Sequence, residues 1–101
     1  MAITISTGQF VKIPCGIQPG PFSNERLITI EADNQTFSGF VNIEHLTETS
    51  PTQGFVTAKV IDRKLQSVTV QIPASFFNMA SGTTSVSSGW VERNWKVGAI
   101  G

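Results

Sequence analysis

The sequence predicts an all-β fold, a small single-domain barrel of five or six strands that spans residues 1 to 101. Two segments between residues 54 and 77 alternate apolar and polar residues with period two, which is the pattern of strands with one buried face. Glycines and prolines separate the other short apolar segments, and no segment has a convincing helical period. Short strands divided by such turns are typical of small barrels and sandwiches, and a chain of this length is normally one domain.

A hairpin between residues 54 and 72 is the clearest predicted element. The apolar residues of its two arms share one face, and all but one are β-branched, which favours strands. These residues are Val56, Ala58, Val60, Val68, Val70 and Ile72. Pro73 cannot donate a backbone hydrogen bond, so the second arm is expected to end at Ile72. Residues 74 to 77 are predicted to form a single helical turn that closes one end of the barrel.

The remaining segments are assigned from the same alternation and turn signals. Ile3 and Ile5 predict a short first strand, and residues 10 to 13 predict a second strand that ends at Pro14. Residues 14 to 24 contain three prolines and two glycines, a composition that favours a rigid loop. Residues 24 to 43 predict a second hairpin, with a turn at Asp33 and Asn34.

The segments that flank the central hairpin are assigned mainly to loops. Residues 44 to 53 predict a solvated loop, and residues 80 to 89, which are small and hydroxylic, predict the most flexible stretch of the chain. Residues 90 to 100 predict a last strand. Neither face of that strand is purely apolar, which is expected of an edge strand.

Residues 70 to 77, VQIPASFF, resemble the strand, proline and single helical turn that precede the last strand of SH3 domains. This resemblance implies an SH3-like barrel as the first choice of topology, and an OB-like barrel is the second. SH3 domains bind proline-rich peptides through tyrosines and a tryptophan near an acidic loop. This chain has no tyrosine, and its residues 14 to 24 contain no acid, so only the shape is carried over from that family.

Charge and cysteine content restrict the classes of partner and compartment. Seven basic and seven acidic residues cancel, whereas proteins that bind a phosphate backbone usually have a basic excess. A neutral chain also lacks the long-range repulsion that opposes self-association. Cys15 is the only cysteine, which favours a reducing, cytoplasmic location. The first residues do not have the pattern of a signal peptide, and no segment is long enough to span a membrane.

No set of residues predicts catalysis, a metal site or a cofactor. Cys15 and His45 are each the only residue of their type, and a Cys–His nucleophile pair would require a hydrogen bond between them. One histidine and one cysteine cannot complete a structural zinc site, and no glycine-rich phosphate loop is present. We therefore expect a protein that is not an enzyme and that uses no metal or cofactor.

Aromatic and basic residues provide the candidate contact surface. Some of them interleave rings and cations near the C-terminus, as in proteins that stack single-stranded nucleic acid, and others lie outside the main alternation. The candidate partner-binding residues are Phe22, Phe40, Trp90, Arg93, Trp95 and Lys96. They predict a protein-interaction or assembly module that self-associates through its terminal strands. The alternative is binding of single-stranded nucleic acid through the aromatic and basic C-terminal strand.

Overall fold

The computed structural model describes residues 7–32, 35–76, 83–87, 90–91 and 95–97. The strands in these ranges form one antiparallel sheet, and the prediction of an all-β fold of the small-barrel type is confirmed. A 3₁₀ helix covers Ile43–His45. The strands are β1 Phe10–Pro19, β2 Glu25–Ala32, β3 Gln35–Asn42, β4 Leu46–Ser50, β5 Gln53–Arg63, β6 Ser67–Gln71, β7 Ala74–Phe76, β8 Thr83–Ser87 and β9 Lys96–Val97.

The order of the strands requires the sheet to curl. The order is β7-β3-β2-β1-β5-β6-β8, with β4 paired to β5 and β9 paired to β1. In a flat sheet, five strand spacings of about 4.8 Å, roughly 24 Å in all, would separate β6 from β7. However, Gln71 ends β6 and Ala74 begins β7, and three Cα steps span at most about 11 Å. The sheet therefore bends into a half-barrel that brings β7 back towards β6.

An ion pair across one end of the half-barrel is consistent with this curl. Arg26 Nε of β2 lies 3.6 Å from Glu48 Oε2 of β4, although β1 and β5 lie between these two strands in the sheet. Both side chains are partly exposed, so the pair contributes little to stability.

The concave face of the sheet holds the hydrophobic core. Alternate residues of the long strands are buried, and the six apolar residues of the predicted central hairpin are all among them, which confirms that hairpin. The second predicted hairpin, β2 with β3, is also confirmed. The core residues are Val11, Ile13, Cys15, Ile17, Ile28, Ile30, Ala32, Phe37, Val41, Val56, Ala58, Val60, Val68, Val70, Ile72, Val86, Val91 and Trp95.

The prediction of a loop over residues 14 to 24 was wrong for the first half of that segment, because β1 continues to Pro19. The Ile17 N–H donates to the Thr52 carbonyl, so by alternation the nitrogen of Pro14 is directed to the opposite side of β1. On that side, among the described residues, β2 pairs with residues 16 to 19 and β9 pairs with residues 11 and 12. Pro14 therefore lies at a position where the absent N–H removes no ladder bond to a described strand.

Two other segments predicted as non-strand are strands. Residues 74 to 76, predicted as part of a helical turn, form β7 and pair with β3. The feature on which the resemblance to SH3 domains was based is therefore absent over these residues, and Phe77 lies outside the described residues. Residues 83 to 87, predicted to be flexible, form β8 on β6, and the hydroxyls of Thr69 and Ser85 lie 2.7 Å apart. In both cases the segment pairs with an available sheet edge, although its own sequence lacks a clear alternation of apolar and polar residues.

The last predicted strand and the loop before β5 also differ from expectation. Of the described residues in the segment predicted as the last strand, Trp90 and Val91 are helical, and Lys96 and Val97 form a strand. Residues 46 to 50, predicted as a solvated loop, form β4, although most of β4 is exposed. The first strand predicted at Ile3 and the turn at residues 33 and 34 lie outside the described residues.

Candidate functional site

A cavity of about 570 Å³ opens where β1 separates from β2. β2 leaves β1 after the pairing of Gly16 with Thr29, and β9 pairs with β1 only at Val11 and Lys12. The residues between these contacts border the opening. We call this cavity the tryptophan groove, and its lining residues are Pro14, Cys15, Gly16, Thr29, Glu31, Thr49, Gln53, Gly54, Phe55, Trp90 and Trp95.

The two tryptophans are held at the groove by backbone hydrogen bonds. The Trp95 N–H donates to the Val91 carbonyl at 2.8 Å, an i to i−4 hydrogen bond that holds the two residues close together. Val91 and Trp95 are both buried. The Trp90 N–H donates to Ser87 Oγ at 3.4 Å, which joins Trp90 to the end of β8.

The polar part of the groove consists of hydroxyl, amide and carboxylate groups. The hydroxyls of Thr29 and Ser38 lie 3.4 Å apart across β2 and β3, and the Thr49 hydroxyl donates to the Gln53 carbonyl at 3.2 Å. Glu31 is exposed and is the only charged side chain among the described lining residues. No ion pair to Glu31 is found within the described part of the chain. Among the described lining residues the only charge is therefore negative, and hydrogen-bond acceptors are numerous.

The structure brings together only part of the predicted contact surface. Trp90 and Trp95 both line the groove, but Trp95 is only 4% exposed and belongs to the core, so its ring is not open to a partner. Phe22 is 66% exposed in the connection between β1 and β2. Phe40 is partly buried on β3, in register with Leu27.

The other two predicted contact residues give less structural information. Lys96 lies in β9, in register with Lys12, and Arg93 lies outside the described residues. Sequence reasoning did not identify the remaining groove residues as a site. They come from β1, β2, β4 and β5, and nothing in any one of these strands indicates that the other three lie beside it.

Cys15 and His45 are not brought together. Cys15 is in register with Gly54, which is in register with Glu48 on the far side of β5. His45 precedes β4 and places its Nε2 atom 3.4 Å from Glu44 Oε1. Burial raises the pKa of the Cys15 thiol to about 11, so the thiol is protonated at neutral pH and is a poor nucleophile.

A second, smaller cavity of about 260 Å³ is lined by residues of β1, β5 and β6 and by neighbouring residues. Its lining includes Phe10, which is exposed, and the side chains of His45 and Lys59. Within the described residues, no group of three or more His, Cys, Asp or Glu side chains is placed to hold a metal ion.

The described part of the chain contains no helix that is long and apolar enough to span a membrane. Comparisons of this chain with protein-family models, with curated proteins and with solved structures found no match.

Proposed function

We propose that this protein is a non-enzymatic, cytoplasmic protein-interaction module that self-associates through the outer edge of β8. The observation that carries the proposal is the composition of this edge strand. Its sequence, Thr-Thr-Ser-Val-Ser, contains no charged residue and no proline. Edge strands that must not pair with other chains usually contain lysine, proline or a bulge. β8 contains neither lysine nor proline, and no bulge interrupts its pairing with β6 over five residues.

The register of the sheet indicates which backbone groups of β8 are directed outward. The Val60 N–H donates to the Gln9 carbonyl, and the Val60 carbonyl accepts from Gly8 N–H, so both groups are directed towards β1. Val70 is paired with Val60, so by the alternation of the ladder its N–H and carbonyl are directed away from β5 and towards β8. Thr84 is paired with Val70, and its N–H and carbonyl are directed back towards β6. The N–H and carbonyl of Ser85 are then directed to the outer edge, where no other described strand pairs. A second strand can add there by β-augmentation.

The charge balance and an exposed aromatic residue also support an interaction role. Equal numbers of acidic and basic residues leave little net repulsion between two copies of the chain. The exposed ring of Phe22 provides apolar surface for a contact with a protein partner.

Sedimentation velocity over a range of concentrations tests the proposal. We expect a reversible dimer in the wild type. Ser85→Lys should raise the dimer dissociation constant by about tenfold, because like charges would meet across the paired edges and a lysine blocks edge pairing. Gln71→Lys is the matched control, since it adds the same charge at an exposed position on β6, which has strands on both sides. A wild type that remains monomeric at high concentration would refute the self-association.

The nucleic-acid alternative remains a prediction, but it has less support from the groove. Trp95 is buried, which removes one of the two expected stacking rings. The Glu31 carboxylate would repel a phosphate backbone at the place where Trp90 is found. Salt-sensitive retention of single-stranded oligonucleotides, weakened by Trp90→Ala, would favour this alternative over the protein-binding function.

A further inference from the structure

We infer that the tryptophan groove binds the guanidinium group of an arginine side chain that belongs to a peptide segment of a partner protein. This site lies where β1 and β2 separate and does not involve the β8 strand edge. The inference therefore does not depend on self-association, and each can fail without the other.

Charge complementarity is the first argument for an arginine. Glu31 is the only charged side chain among the described residues that line the groove, although the whole chain has as many cations as anions. The other polar side chains of the lining, Thr29, Thr49 and Gln53, can all accept hydrogen bonds. A guanidinium carries a positive charge and five N–H donors and has no acceptor, so its hydrogen-bonding groups match this lining.

The aromatic residues of the groove provide the second argument. The side chains of Phe55 and Trp90 are partly exposed and line the same cavity as Glu31. A planar guanidinium stacks on aromatic faces, and tryptophan is the strongest such partner. A carboxylate that lines the same cavity as two rings offers a guanidinium both an ion pair and a stacking surface. An ammonium group has no plane with which to stack and would use this arrangement less fully.

The size of the cavity indicates that more than one side chain enters it. A volume of about 570 Å³ lies in the range of about 300 to 1,000 Å³ that is typical of ligand sites. A single guanidinium would leave much of this space empty, so the adjoining peptide backbone should also occupy the groove. Gly16 is part of the lining, and an added Cβ atom there would meet no atom closer than 3.9 Å, so the absence of a side chain lets a peptide approach the backbone of β1.

Intrinsic fluorescence provides a direct binding assay, because the two tryptophans of the chain both line the groove. The probes are an acetylated and amidated Gly-Arg-Gly peptide and the same peptide with citrulline in place of arginine. Citrulline keeps the shape of the side chain and removes its charge. We expect saturable binding of the arginine peptide, at least about fivefold tighter than the citrulline peptide. Raising the salt concentration should weaken the binding, since exposed charges are screened.

Substitutions identify the carboxylate and the ring that carry the binding. Glu31→Gln should weaken the affinity for the arginine peptide by about two- to fivefold, as expected for a partly exposed ion pair. Glu44→Gln, which removes the same charge from an exposed residue outside the groove, should leave the affinity unchanged. Phe55→Leu, which keeps an apolar side chain on β5, should also weaken binding. Circular dichroism confirms that each variant is folded.

Three results would overturn the inference. The first is equal affinity for the arginine and citrulline peptides, and the second is an equal effect of Glu31→Gln and Glu44→Gln. The third is saturable binding of a neutral disaccharide such as maltose without binding of the arginine peptide, which would assign the groove to a carbohydrate. Ser85 does not line the groove, so Ser85→Lys should not change the peptide affinity even if it abolishes the dimer.

Discussion

Replacement of Gly54 by alanine should destabilise the fold more than the same replacement of Gly16 on the neighbouring strand. Gly54 lies on β5 between Cys15 of β1 and Glu48 of β4. A Cβ atom at this position would overlap the Thr47 carbonyl oxygen, and it would lie 2.9 Å from Ile17 Cδ1 and 3.0 Å from Glu48 Cα. Two of these three atoms belong to the backbone, so they cannot move without displacing β4.

The magnitude follows from what has to move. Overpacking a well-packed site usually costs about 1 to 3 kcal/mol, and the upper part of that range applies because the obstacle is mainly backbone. We expect Gly54→Ala to lower the free energy of unfolding by about 2 to 3 kcal/mol. For a domain of this size, each kcal/mol shifts the melting temperature by about 4 to 8 °C, so the loss should be about 10 °C or more.

Urea denaturation followed by tryptophan fluorescence and far-UV circular dichroism measures this loss. Gly16→Ala is the matched control, because Gly16 lies on the neighbouring strand and an added Cβ would meet no atom closer than 3.9 Å. This control should be neutral or stabilising by up to about 1 kcal/mol, since alanine reduces the entropy of the unfolded chain. If both variants unfold at the same urea concentration, the close approach of β4 to Gly54 is not what requires glycine there.

Two further predictions concern the core. Because the pKa of the Cys15 thiol is raised from 9.0 to about 11 in the folded state, the unfolded thiol ionises first, and the free energy of unfolding should fall as the pH rises through this interval. Cys15→Ala should lack that component, and identical pH profiles of the two proteins would contradict the burial of the thiol. Ile13→Val should cost about 1 kcal/mol, whereas Ile61→Val should change stability by less than about 0.5 kcal/mol, because Ile13 is fully buried and Ile61 is 39% exposed. Equal losses in urea denaturation would refute this assignment of the two faces.

Much of the sheet could be predicted because the strand signal is local. In the central hairpin, Val68, Val70 and Ile72 are two residues apart, and all three are buried as the alternation requires. Segments with a weaker signal were assigned less well. Thr83–Ser87 has few strongly apolar residues, and it forms a strand because β6 offers an edge with which it pairs. Pro14 argues against a strand when read alone, but it pairs with Phe55 of β5 and its nitrogen is directed to the side of β1 where no described strand pairs with it.

The candidate site was predicted only in part for a related reason. Trp90 is recognisable in the sequence as an aromatic residue near cations, and it does line the groove. Glu31 and Phe55 give no such signal, since one lies near the end of a strand and the other lies within an ordinary alternating segment. Glu31 of β2 and Phe55 of β5 line the same cavity because of the register of these two strands with β1, which lies between them.

The sequence alone therefore determined the class of fold and the buried face of its main strands, since both depend on spacing between neighbours in the chain. It also determined the neutral charge and the single thiol. Only the tertiary structure decided the strand order, the curl of the sheet, the composition of the groove and the position of β8 at an edge of the sheet. These properties depend on contacts between residues far apart in sequence, and such contacts form according to which edges and faces remain available once the central strands have paired.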